Sequence, residues 1–178
     1  MKNKNVSTGI AFGIIIGLVY CILLFLRWQS ASNFIQFALI AFITYIIILG
    51  IMFYEAFYRR KQEEGNYITL KQLFQTLLIS VLIFEFFYSA YNYIHLKFID
   101  PGVIDRMKIA MENMLDKAGD NVTTQQKKDS LSKIEELKQA TEFGKIITGY
   151  FTSVAVSGVF ALIISAILKK KKPVFSGD

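Results

Sequence analysis

The sequence predicts an all-α membrane protein: a bundle of four transmembrane helices with an extracytoplasmic helical hairpin between the third and fourth. Three observations lead there. Four charge-poor apolar spans, Val6–Leu26, Phe34–Tyr54, Leu70–Leu96 and Ile146–Leu168, each reach the roughly 20 residues a helix needs to cross a ~30 Å hydrocarbon core. Hydrophobic residues make up 53% of the chain and mean hydropathy is positive, as suits a surface that faces lipid. Basic residues gather beside the spans, whereas residues 97–145 balance nine basic against nine acidic side chains. At 178 residues there is room for a single membrane domain, 1–178, with 97–145 as an insertion.

The first span follows Lys2 and Lys4 and resembles a secretory signal, with Ser30, Ala31 and Ser32 as a small-residue patch. Its apolar run exceeds the roughly 7–15 residues of a signal core, so it reads as a retained helix. The lone Cys21 lies inside that span, which excludes an intrachain disulfide and a cysteine-based metal site. Bulky Leu18, Val19 and Tyr20 before it argue against lipidation, leaving Cys21 a packing or lipid-facing residue.

Lys2 and Lys4 precede the first span, Arg59, Arg60, Lys61 and Lys71 lie between the second and third, and Lys169 to Lys172 follow the fourth. When the helices alternate, all three clusters fall on one side. The positive-inside bias then places both termini in the cytoplasm, with Arg27 and residues 97–145 outside. Basic clusters abutting spans favour the lipid bilayer and its anionic headgroups at the cytoplasmic face over nucleic acid.

In the long third connection, Asp100 before Pro101 is a helix start, and Val103, Met107, Ala110, Met111 and Met114 recur at helical spacing until Gly119. Thr123 or Thr124 can cap a second helix whose Leu131, Ile134, Leu137 and Thr141 share a face, and which is expected to run straight into the fourth span. Each helix would cover the other's apolar stripe. Helix-spaced methionine is more often packing than a metal or binding surface, and Asn121-Val122-Thr123 is a weak match to a glycosylation acceptor.

Gly9, Gly13 and Gly17 repeat every four residues, as do Gly149, Ser153, Ser157, Ala161 and Ser165. Both ladders are ridges where another backbone can approach, so the first and fourth helices are expected neighbours, with homo-oligomerisation or an unknown membrane partner as the alternative.

Glu85 carries the most specific chemistry. It lies 14 residues after Lys71 and 12 before Lys97, too deep for a carboxylate to reach either interface. A charge there costs roughly 2.5–3.5 kcal/mol on insertion scales, so the group should face the bundle and either protonate or find donors. Tyr88, Ser89, Asn92 and His95 extend its face outward, and Thr44, Tyr45 and Ser157 offer hydroxyls at matching depth. Read structurally, this polar stripe is interhelical glue; read functionally, it is a proton or cation pathway. His95 near an interface is more often a headgroup-level residue than a relay, and Tyr91 and Tyr93 suit an aromatic belt. The chain has no catalytic triad, paired metal ligands or phosphate loop, so neither catalysis, a cofactor nor a metal is expected.

The run Gly65-Asn66-Tyr67-Ile68-Thr69-Leu70-Lys71-Gln72-Leu73-Phe74, followed by Tyr88 to Tyr93 and by Lys97-Phe98-Ile99-Asp100-Pro101, resembles the bacterial domain-of-unknown-function family 4199, found chiefly in Bacteroidetes. The resemblance covers almost the whole chain. It implies a four-helix integral protein of the bacterial cytoplasmic membrane and brings no catalytic residues with it.

Overall fold

The computed structural model describes residues 4–118, 122–139 and 142–170; Lys2, Gly119, Asn121, Thr141 and Lys171 to Lys172 lie outside them. The described residues form six α-helices: α1 (Lys4–Gln29), α2 (Phe34–Lys61), α3 (Leu70–Ile94), α4 (Val103–Ala118), α5 (Thr124–Gln139) and α6 (Phe143–Leu168). Four helices are long and apolar enough to cross a membrane, namely α1, α2, α6 and α3 with its continuation to Ile99. Their outer faces expose Ile22, Ile35, Phe42, Phe86 and Ile167, a contiguous apolar surface that fits lipid rather than water. The protein is a multi-pass membrane protein.

Local signals set the helix boundaries. The Asn33 side chain caps α2 by accepting the Gln36 N–H at 3.2 Å. Thr69 and Gln72 form a reciprocal capping box at the start of α3. Between α2 and α3 the chain reverses through a short 3₁₀ turn in which Gly65 and Asn66 are both left-handed, at φ 64° and 57°, as glycine and asparagine tolerate best. α2 runs seven residues past the predicted end at Tyr54, and this draws Glu55 and Arg59 into the interior.

α3 packs centrally against α1 and α6, and α2 closes the bundle against α1 and α6. The glycine ridge of α1 seats on α3: a Cβ at Gly9 would meet the Thr76 carbonyl oxygen at 2.5 Å, and one at Gly13 would meet Ile83 at 2.8 Å. The expected pairing of the first and fourth helices is therefore replaced by α1 on α3, and α6 reaches the bundle through α3 and α2. Its Gly149 packs on nothing, with open space where a Cβ would stand. The physical reason is chemical rather than steric, because α6 meets α3 through hydroxyls and apolar Ala161 and Ile164 instead of bare backbone.

At one end of the bundle, Lys4 Nζ donates to the Gln62 carbonyl at 3.1 Å, and Ile68 and Lys170 exchange two backbone hydrogen bonds of 2.9 and 3.0 Å. The start of α1, the α2–α3 connection and the end of α6 thus share one end, together with Arg59, Arg60, Lys61 and Lys169.

At the other end, α3 gives way to a π-helical turn, His95–Ile99, closed by the Asp100 N–H on the His95 carbonyl at 2.8 Å. Pro101 and Gly102 form a turn, so α4 begins at Val103. Asp100 accepts from Arg106 and from the Gly102 N–H, which fixes that start. α4 and α5 lie antiparallel, tied by Lys108 to Glu135 and by Lys127 to Asp116. Ile104, Met107, Met111 and Leu115 of α4 and Ile134 of α5 form a second core that continues onto Trp28, Ala31 and Phe37. Met107 and Met111 are packing residues there, while Met114 is exposed. α6 starts at Phe143 after an extended Glu142, so the expected continuous helix is interrupted at Glu142.

Candidate functional site

Glu85 sits in the middle of α3 and is 3% exposed. Its Oε1 accepts from the Ser157 hydroxyl of α6 at 2.6 Å, and its Oε2 is buried with no hydrogen-bond partner among the described residues. Ser157 is thus the one expected hydroxyl the fold brings to it. Thr44 is buried but donates to the Ile40 carbonyl of its own helix at 2.7 Å, and Tyr45 is 57% exposed on the outer surface. Ser157 can reach across because α6 turns its small-residue ladder toward α3 at this level. Tyr150 adds a second tie, donating to the Leu82 carbonyl at 3.1 Å.

The rest of the polar stripe is divided among other partners. Asn92 donates to the Tyr88 carbonyl and accepts from the Trp28 indole N–H of α1, both at 3.0 Å. The Tyr88 ring packs on Tyr20 at 5.0 Å between centroids, and Ser89 is half-buried. His95 is 1% exposed, sandwiched between Trp28 and Tyr91 with both centroids at 5.6 Å. It is therefore a core residue at the end of the bundle that carries α4 and α5, packed against aromatic rings. The π-helical turn that it begins carries it inward onto Trp28. Among the described residues, no hydrogen bond links Glu85 to Tyr88, Ser89, Asn92 or His95.

A second buried polar cluster was not read from the sequence. Glu55 is 0% and Arg59 2% exposed on α2. Arg59 donates to Asn5 Oδ1 of α1 through Nε at 3.0 Å and Nη2 at 2.6 Å, and pairs with Glu63 at 2.7 Å. Asn5 in turn donates to Gln75 of α3 at 3.1 Å, so one guanidinium joins three helices. Glu55 faces Ser80 of α3 without a completed hydrogen bond, and both carboxylate oxygens and the Ser80 hydroxyl are buried without partners among the described residues. The signal was the i, i+4 spacing of Glu55, Arg59 and Glu63 on the face that carries Met52 and Ala56. It was hidden because the apolar run ends at Tyr54, where the helix does not.

Among the described residues, no hydrogen bond joins the two carboxyls. Ser80 stands five residues before Glu85, about 7.5 Å along the helix, and fully buried Met52, Val81 and Phe84 fill the core at those levels. Among the described residues, no three His, Cys, Asp or Glu side chains converge into a metal-binding group. Glu85 can thus act as a hydrogen-bonded tie between α3 and α6, and Arg59 as a three-helix pin at the basic end.

No curated protein and no solved structure matches the chain significantly. The family model described as "Protein of unknown function (DUF4199)" matches residues 7–170, and over that span, nearly the whole chain, the protein belongs to this family.

Proposed function

We propose that this chain is a non-catalytic structural or partner-binding component of the bacterial cytoplasmic membrane, with both termini cytoplasmic and 97–145 forming an extracytoplasmic hairpin. The observation that carries this reading is the Glu85–Ser157 hydrogen bond inside a packed interior. A carboxyl that closes α3 onto α6 and, among the described residues, shares no hydrogen bond with the second carboxyl has a structural use. The orientation is supported by the gathering of Lys4, Arg59, Arg60, Lys61 and Lys169 at one end of the bundle. The antiparallel pairing of α4 and α5 over Trp28 and Phe37 supports a compact hairpin at the other.

The alternative reading is a small proton- or cation-coupled transporter or channel subunit that uses Glu85. Its specific support is Glu55, a second buried carboxyl without a hydrogen-bond partner among the described residues, since a pathway usually needs more than one titrating site. A proteoliposome assay with a pH gradient separates the two. Wild type and Glu85→Gln should both hold the gradient as well as empty vesicles do. A wild-type leak or coupled uptake that Glu85→Gln abolishes while still folding would establish the transport reading.

A further inference from the structure

Two adjoining cavities open between α3 and α6 at the end of the bundle that carries α4 and α5. The inner one, of about 230 Å³, is lined by Arg27, Trp28, Asn92, Lys145, Gly149 and Ser153. The outer one, of about 660 Å³, is lined by Phe86, Ala90, Lys97, Ile147 and Phe151. They share Ser89, Tyr93, Ile146 and Tyr150, so they form one cleft.

Charge and polarity are sorted along this cleft. Arg27, Lys97 and Lys145 stand at the ends of their spans, and among the described residues no Asp or Glu lines either cavity. Arg27 is held over the Phe37 ring, 4.2 Å from its centroid, and its Nε is buried with no hydrogen-bond partner among the described residues. Lys97 donates to the Tyr93 hydroxyl at 3.0 Å. Deeper in the span the wall is apolar, and Phe86 and Phe151, 64% and 61% exposed, leave it open sideways to the bilayer. Gly149 keeps the junction clear, because no atom lies within 4 Å of where its Cβ would stand.

We infer that this cleft is a binding site for an anionic phospholipid, its phosphate between Arg27 and Lys145 and an acyl chain along Phe86 and Phe151. Three cations, with no carboxylate among the described lining residues, favour an anionic headgroup. The apolar slot that continues from them into the hydrocarbon level selects a lipid over a soluble anion. Each cation near a headgroup is worth enough that the two together give roughly a thirtyfold preference for an anionic lipid over a zwitterionic one.

The test is native mass spectrometry of the full chain released from bilayers of equal phosphatidylglycerol and phosphatidylcholine. Wild type should retain phosphatidylglycerol in roughly thirtyfold preference, and Arg27→Gln with Lys145→Gln should bring retention of the two lipids to parity. Lys169→Gln with Lys170→Gln, at the opposite end, should leave the preference intact. Should the first double variant fold poorly, Gly149→Phe fills the junction without changing charge and should lower retention of phosphatidylglycerol. Equal retention of both lipids by wild type, or a preference that survives loss of both cations, overturns the proposal. Displacement of phosphatidylglycerol by inorganic phosphate would assign the site to a soluble anion instead, and a dimer that releases no lipid would assign the cleft to a second copy of the chain.

Discussion

Glu85 on α3 and Ser157 on α6 make, among the described residues, the only side chain to side chain hydrogen bond between these two helices. It lies near the middle of both spans, where water cannot compete for either group. Loss of one partner therefore leaves the other polar and buried, which is the costly case.

The same geometry separates two substitutions at position 85. Glu85→Gln keeps the shape and can still accept from Ser157, so the yield of folded, monodisperse protein should match wild type. Glu85→Lys places an unpaired cation at midspan, at a cost of roughly 2.5–3.5 kcal/mol or more, and assembly should fall sharply. Size-exclusion profiles of the two variants from the same membranes check this directly.

The two glycine ladders should respond in opposite ways to added methyl groups. At Gly9 a Cβ would fall 2.5 Å from the Thr76 carbonyl oxygen, a backbone atom that cannot swing aside. Gly9→Ala should cost about 1–3 kcal/mol through forced separation of α1 from α3. Gly149→Ala meets open space and gains helix propensity of up to about 1 kcal/mol. Thermal unfolding of both variants in one detergent should show a lowered midpoint for the first and an unchanged or raised midpoint for the second.

Topology is accessible to thiol labelling. Exposed Lys128 on α5 and exposed Glu64 in the α2–α3 turn stand at opposite ends of the bundle. In a Cys21→Ser background, Lys128→Cys should react with an impermeant reagent on intact cells, whereas Glu64→Cys should react only after the membrane is opened. The reverse pattern would invert the proposed orientation.

Asp100 supplies a pH-dependent contact outside the spans. The hydrogen bond from Arg106 holds its carboxyl below the usual carboxylate range, with the Gly102 N–H acting in the same sense. Because the folded state binds the proton less readily than the unfolded chain, the contact contributes fully above the ordinary carboxylate range. That contribution is lost as pH falls through the lowered value. The gap in unfolding midpoint between wild type and Asp100→Asn should be largest near neutrality and should close below about pH 4. The contact is exposed, so the gap should be small at every pH.

What was legible in the sequence followed from periodicity and composition. The four spans, the cap at Thr123, whose hydroxyl accepts the Gln126 N–H at 3.2 Å, and the apolar stripes of α4 and α5 are one-dimensional patterns with one physical outcome. Ser157 as a partner of Glu85 was legible by matching depth along two antiparallel helices, but depth alone could not reject Thr44 and Tyr45. Those residues differ from Ser157 only in azimuth, which packing decides. Glu55 and Arg59 were missed because a charge ends an apolar window even where the helix continues and buries it. The pairing of α1 with α3 was likewise illegible, since two small-residue ladders each announce a close neighbour without naming it.

The role given to Glu85 is tested most directly by a double-mutant cycle on the pair itself. Glu85→Met, Ser157→Ala and the double variant should be compared with wild type by reversible unfolding in bilayer-like micelles. A structural tie across the membrane interior predicts a coupling energy of about 0.6–1.7 kcal/mol, with Ser157→Ala destabilising only while Glu85 is present. Effects that add to within about 0.3 kcal/mol would mean that Glu85 and Ser157 do not hold α3 to α6.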